Sequence, residues 1–538
     1  MKLRLMLVLM CLVGVVSARN TIIPVPQKYT ETGGKCKITS SYVLDVKSLS
    51  KSFQKIAGST LEEATSWKFK VKTANSNVIS FRLNNGLNQL GDEGYQLESN
   101  GKGISVEAKT ETGLFYGLQS LTQLINTHKE SGTIAIPNVK IEDQPNYKWR
   151  AFMLDEARFF KGKEEVKKLL DEMAYLKMNV FHWHLVDDQG WRIEIKKYPL
   201  LTEVGSKRSN SQIGPMKWKS PIRTDEPHEG FYTQKEIKEI VEYAKARHIT
   251  VMPEIDMPGH SSAAVASYTW LGTLGKDIDV PDSFRCDDIF DITKPEVYQF
   301  LIDVLDEVME LFPSKVIHIG GDEVDYKIWG KSPTIKKYMK ENGIKTLPDL
   351  QIQFTNRIAH YLQSKGRRLM GWNEILGHQF DERLFEKKEE VEKELASNAV
   401  IHFWNGKIEK LEEAAQKGYS VINSTSWYTY LDYNYNSINL KKAYSFNPIP
   451  AGLDKKYHNK IEGIGCQMWG EWIPTAGNMH FMVFPRLAAY AEVAWRQPEL
   501  QNYEKFRKNI EPLLLRWKNK GFTIAPMSIA DPVEKEKK

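Results

Sequence analysis

The stretch Lys315-Val316-Ile317-His318-Ile319-Gly320-Gly321-Asp322-Glu323 decides how the chain is read. An apolar run of strand length ends in two glycines, which let the backbone turn sharply, and two adjacent carboxylates follow. A strand that delivers paired acids at its end suits acid/base chemistry. The competing reading is a helix start, where the helix dipole favours acids. What flanks the stretch decides between them.

From Trp149 onward, apolar runs of strand length alternate with amphipathic helices. The runs cover 152–154, 179–185, 250–255, 316–319, 368–372, 400–404, 420–423 and 463–469. Val166, Leu169, Leu170, Met173 and Leu176 fall at helical spacing. Thr233 with Glu236, and Thr293 with Glu296, have the spacing of capping boxes ahead of apolar helical patterns. Eight strand–helix repeats predict an α/β fold, a TIM (β/α)8 barrel over 146–500. A doubly wound open sheet is the alternative, disfavoured because no Gly-rich phosphate loop follows the first strand. The stretch 199–232 is long, polar and rich in Gly, Pro and Ser, an excursion after the second strand.

Before the barrel, residues 19–145 predict a small α+β domain. Strands are expected at 78–83 and 94–98, and Asn100-Gly101 turns the chain into a hairpin partner at 104–107. A helix over 113–127 carries Leu114, Leu118, Leu121 and Leu124 on one side. The segment 137–145 reads as the linker. After the barrel, 501–538 predicts a helix at 503–518 and a charged, disordered tail at 533–538.

Of 538 residues, 41% are hydrophobic and 26% charged, which suits a globular protein. The net charge of +6 is spread without long basic runs, so no nucleic-acid partner is expected. Residues 1–18 have a basic start, an apolar core from Leu5 to Val16, and small residues at Ser17 and Ala18. That is a secretory signal peptide, too short to span a bilayer, and it implies a periplasmic or extracellular protein. A lipid anchor at Cys11 is disfavoured because Met10 stands where a small residue would be needed. No later run is long and apolar enough for a membrane span. Cys36, Cys286 and Cys466 remain after cleavage, an odd number that argues for free thiols. No Cys/His spacing resembles a metal site, and no metal or other cofactor is expected.

A barrel should collect its functional residues at the C-terminal strand ends. Those ends carry Asp155 to Arg158, Asp187-Asp188, Asp256 to His260, Asp322-Glu323, Trp372 to Glu374, Trp404, Tyr430 to Asp432, and Trp469 to Glu471. Acids, one Arg, one His and several Trp thus converge on one face. Sugar rings lay an apolar C–H face on indole and direct hydroxyls at carboxylates and Arg, so the set points to a carbohydrate site. Each Trp taken singly is more often core or rim, and Asp155 and Asp256 read as structural acids bracing loops. An ordinary retaining glycosidase places its two carboxyls on opposite sides of the reacting carbon. Adjacent residues do not easily reach both sides. Adjacency suits a division in which one acid protonates the leaving oxygen and the other polarises a 2-acetamido group of the substrate, whose oxygen attacks the anomeric carbon.

From about residue 22 to 526 the chain resembles the secreted bacterial β-N-acetylhexosaminidases of glycoside hydrolase family 20. The motifs that carry this are Leu154-Asp155-Glu156-Ala157-Arg158, His182-Trp183-His184-Leu185-Val186-Asp187-Asp188-Gln189, Asp256-Met257-Pro258-Gly259-His260 and His318-Ile319-Gly320-Gly321-Asp322-Glu323. The resemblance implies Glu323 as general acid/base and Asp322 as the group that orients the acetamido N–H. It implies Tyr430 on the acetamido oxygen, and Arg158, Asp432 and Glu471 on sugar hydroxyls. Trp372, Trp404 and Trp469 match the pocket walls, with Trp469 under the ring, and Asp187 and His260 match a network supporting the acid. Arg150-Ala151 stands where Arg-Gly is common in the family. The expected substrates are glycans or glycoconjugates with a terminal N-acetylhexosamine. A relative that releases a disaccharide, and a carbohydrate-binding protein with an inactive barrel, are the alternatives.

Overall fold

The computed structural model describes residues 20–130, 133–214 and 220–532. The proposed signal peptide and the tail at 533–538 lie outside the described residues. No helix among the described residues is long and apolar enough to cross a membrane.

Eight parallel strands close into a barrel. Numbered within the barrel they are β1 (Trp149–Asp155), β2 (Val180–His184), β3 (Thr250–Glu254), β4 (Val316–His318), β5 (Arg368–Trp372), β6 (Val400–Phe403), β7 (Ser420–Asn423) and β8 (Ile461–Met468). Each pairs with the next, and β8 closes on β1 with Gly463 beside Trp149. Side chains alternate across each strand, so successive residues face either the helices or the interior. Phe181 and Trp183 join the outer core, whereas Val180 packs inside with Ala151, Met252, Val316, Met370, Val400 and Ile422. These residues form an apolar layer low in the barrel. Ala151, where glycine is common in the family, contributes a methyl group to that layer. Above it, His182, Glu254, His318, His402 and Gln467 are all buried, and they make the next layer polar.

The N-terminal domain is a mixed sheet with two helices, Lys51–Thr65 and Glu111–His128. The expected hairpin is present: Tyr95–Asn100 pairs antiparallel with Gly103–Ala108. The helix Glu111–His128 is buried on all sides from Gly113 to Ile125, as a helix must be when it is sandwiched between its own sheet and a neighbouring domain. A methyl at Gly117 would sit 2.4 Å from Val106 Cγ1, so glycine permits this close approach to the sheet. A buried Lys177 at the foot of β2 reaches Asp143 Oδ2 at 3.0 Å across the domain junction, and Trp495 Nε1 donates to Asp143 Oδ1 at 2.9 Å.

Three expectations are corrected. The segment read as a linker is a strand, Thr133–Asp143, paired with Lys28–Ile38 and Tyr95–Asn100. Its prolines misled: Pro137 is paired with Lys35 where the neighbouring strand has an irregular register, a position that tolerates a missing N–H. Thr293 and Glu296 do not form a capping box. The helix begins at Pro295, its cap is Lys294, and the Thr293 hydroxyl donates to Asp291 instead. Proline favours the first helical turn and here sets the start beyond Thr293. The C-terminal helix is two helices, Tyr503–Asn509 and Glu511–Asn519, because Pro512 lacks the N–H needed to continue the first.

Candidate active site

The acid pair is built by backbone geometry. Gly320 and Gly321 have φ of 63° and 87°, values that favour glycine. A Cβ on Gly320 would fall 1.9 Å from Asp256 Oδ1, so no side chain fits between the turn and β3. Asp256 Oδ1 accepts from Gly321 N at 3.1 Å, the bracing role expected for this acid. Glu323 itself has φ 48° and His260 has φ 46°. Non-glycine residues in this region cost on the order of 1–3 kcal/mol and collect at functional sites.

Asp322 is buried, and its Oδ1 has no hydrogen-bond partner among the described residues. The Glu323 side chain is 38% exposed and faces outward. His260 Nε2 stands near both, 4.0 Å from Asp322 Oδ2 and 3.7 Å from Glu323 Oε2. Behind it, His260 Nδ1 lies 3.1 Å from Asp187 Oδ1 and 3.3 Å from Asp188 Oδ2. Arg158 Nη2 reaches Asp187 Oδ2 at 2.8 Å, and its Nη1 reaches Asp155 Oδ2 at 3.1 Å.

The aromatic residues form one cluster. Met153, Trp372, Tyr430 and Trp469 pack together, with Trp404 and Tyr433 against them. Trp404 lies parallel to Tyr430, with ring centroids 5.9 Å apart. Trp372 is fully enclosed, stacked on His402 at 4.1 Å, so it forms the floor beneath the pocket. The Arg158 guanidinium lies 5.2 Å from the Trp469 ring. Asp432 and Glu471 are half-buried and lie close enough for Glu471 to add to the desolvation that raises the Asp432 pKa, and Asp432 Oδ1 is also unpartnered among the described residues. All eleven residues singled out from the sequence therefore meet at one end of the barrel.

Burial dominates the electrostatics. It pushes the Asp322 carboxyl up to about 7, with Glu323 and Glu254 adding to the shift and His260 opposing it. Asp432 rises through burial and then Glu471. Burial also raises Glu471, opposed by Arg158. Asp187 is the exception: burial would raise it, but Arg158 and His260 hold it far below the usual carboxylate range. His260 stays cationic because Asp187 overcomes its desolvation. Tyr430 is raised well above the ordinary phenol value by burial, so its hydroxyl remains a donor.

Sequence reasoning assigned no role to two groups. Glu374 is buried beside the acid pair, raised by burial and by Asp322, and its Oε2 accepts from Trp404 Nε1 at 2.9 Å. The second group is the layer of His182, His184, Glu254, His318 and His402 under the pocket. His182 and His184 alternate within one strand, a visible sign that both face inward. Nitrogen and oxygen atoms of His182, Glu254 and His318 lie within 4.8 Å of one another, with the Glu254 carboxylate 2.8 Å from His182 Nε2 and 3.0 Å from His318 Nδ1. A cavity of about 470 Å³ lined by Glu323, Glu374, Tyr326, Phe380 and Trp404 opens on one side of the acid. One of about 260 Å³, lined by Arg158, His260, Glu323 and Glu471, opens on the other.

Paired acids beside an aromatic pocket at the C-terminal face of a (β/α)8 barrel define a glycosidase site. The family model for the glycosyl hydrolase family 20 catalytic domain matches residues 147–498, and that for domain 2 of the same family matches residues 19–144. The chain belongs to glycosyl hydrolase family 20. It is 33% identical over 516 residues to a β-hexosaminidase of Porphyromonas gingivalis, covering 92% of this chain and 63% of that one. It is also 33% identical to a β-hexosaminidase of Vibrio furnissii, covering 88% of this chain and 76% of the relative. The crystal structure of a β-N-acetylhexosaminidase from Bacteroides fragilis superposes with a TM-score of 0.80 at 32% identity, covering 96% of this chain and 99% of that one.

Proposed function

We propose that the protein is an exo-acting β-N-acetylhexosaminidase. It removes terminal non-reducing β-linked N-acetylglucosamine or N-acetylgalactosamine with retention. The observation that carries this reading is Asp322 Oδ1: a buried carboxylate oxygen, unpartnered among the described residues, adjacent in sequence to an exposed acid. An unpaired buried acceptor is costly, and an acetamido N–H satisfies it.

In this mechanism the sugar stands on Trp469, with its hydroxyls on Arg158, Asp432 and Glu471. Tyr430 donates to the acetamido oxygen and sets its direction. That oxygen attacks the anomeric carbon while Glu323 gives its proton to the glycosidic oxygen, and the leaving alcohol departs. The resulting oxazolinium ion carries positive charge beside Asp322, which holds its N–H and stabilises it. Glu323, now a carboxylate, takes a proton from water as the water attacks the anomeric carbon on the face from which the alcohol left, and the bond from that carbon to the acetamido oxygen breaks, restoring the acetamido group. The product keeps the β configuration, and Glu323 regains its proton.

Paired aryl glycosides with and without the 2-acetamido group test this. Turnover of the acetamido sugar and none of the plain glucoside is expected; equal rates would remove substrate assistance. A thiazoline analogue of the intermediate should inhibit competitively. Export by residues 1–18 belongs to the same proposal, supported by their basic start and apolar core; cell fractionation finding the protein only in the cytoplasm would contradict it.

A further inference from the structure

Glu254 ends β3, is completely buried, and touches nothing that reacts in the mechanism above. A carboxylate in such a place is unfavourable unless it is well paired, and an apolar residue would fill the same volume at less cost. Its contacts are short, and all of them are to ring nitrogens. Oε1 accepts from Trp372 Nε1 at 2.8 Å and lies 3.0 Å from His318 Nδ1. Oε2 lies 2.7 Å from His184 Nδ1 and 2.8 Å from His182 Nε2. The far side of His184 continues outward: Nε2 is 2.8 Å from Asp187 Oδ2, and Asp187 in turn holds His260 between Asp322 and Glu323. Acid and imidazole thus alternate in one chain from the barrel interior to the reacting pair.

We propose that Glu254 is a positioning residue of this active site, acting through His184, Asp187 and His260 on the placement of Asp322 and Glu323. This rests on the hexosaminidase reading. The alternation of charge supports it. Burial would strip the proton from His184, yet Glu254 and Asp187 hold it cationic, while His182, lacking a second carboxylate, falls to about 4. A charged link is roughly twice as strong as a neutral one, so His184 anchors Asp187 firmly only while Glu254 keeps it protonated. Asp187 then fixes the His260 ring, and reacting groups misplaced by about 1 Å lose roughly 100-fold in rate.

The test is a double-mutant cycle on a 2-acetamido aryl glycoside. Glu254→Gln keeps an oxygen for Trp372 but removes the charge that faces His184. The expected result is a kcat lower by roughly 10- to 100-fold, the range for supporting residues behind a site, with KM within about threefold. In a His260→Asn background the same substitution should cost almost nothing further, because the link it acts through is already cut. Multiplicative losses, or an unchanged kcat in Glu254→Gln, would overturn the proposal. If circular dichroism shows Glu254→Gln unfolded, His184→Asn breaks the same chain one link nearer the acids and is read by the same cycle. A folded wild type without turnover of the acetamido glycoside would overturn the hexosaminidase reading itself, and this inference with it.

Discussion

Asp322→Asn should make the protein more stable and a far poorer catalyst. The carboxyl is buried, with one oxygen unpartnered among the described residues, and its pKa is displaced from the ordinary value near 3.8 to about 7. A folded-state pKa raised in this way means that the fold holds the proton more tightly than the unfolded chain does. Stability is therefore complete below about pH 4 and is lost as pH rises through about 7. At about 1.36 kcal/mol per unit, the displacement corresponds to at most about 4 kcal/mol in the wild type above pH 7. Asparagine has nearly the same shape and no charge, so the variant escapes that loss. Thermal unfolding of both proteins should coincide near pH 4, and the variant should melt higher by pH 8, by up to about 4 °C for a unit of this size. Turnover moves the other way. The neutral amide cannot stabilise an oxazolinium ion, and losing such a contact costs about 2.7–4 kcal/mol, or 10²- to 10³-fold in kcat. The reasoning fails if the variant melts lower than wild type at pH 8, or if its kcat is preserved.

Glu323→Gln should lose most activity on substrates with poor leaving groups and least on activated aryl glycosides; near-normal hydrolysis of a disaccharide would remove Glu323 as the acid. Asp322 has to be ionised to stabilise the oxazolinium ion and its carboxyl is pushed up to about 7, so kcat/KM should rise as pH climbs toward about 7, and a pH–rate profile flat between about pH 5 and 8 would contradict this. Lys177→Met leaves Asp143 buried without its ion-pair partner at the domain junction, and should destabilise by about 3–5 kcal/mol in denaturant unfolding with KM unchanged. A change in KM would show that the junction reaches the pocket.

The barrel and the residues at its mouth are legible from periodicity alone. Eight apolar runs separated by helical patterns are a local signal, and the side chains that follow each run sit at the functional face wherever the strands point. Asp322, Glu323, Arg158 and Trp469 could be singled out for that reason. Local signals mislead where a single residue type stands for a boundary: Pro137 reads as linker but sits in a strand, and Thr293 reads as a cap but stands two residues ahead of the helix that Pro295 starts. Pairing between distant strands is legible only in the folded chain. Glu254, His184, His318 and Trp372 come from β3, β2, β4 and β5, and nothing in their spacing says which oxygen faces which nitrogen. The same holds for Trp372, which strand position marks as part of the pocket but which closure of the barrel places beneath it, stacked on His402. Burial, and with it the charge state of every one of these groups, exists only once the eight strands have closed around them.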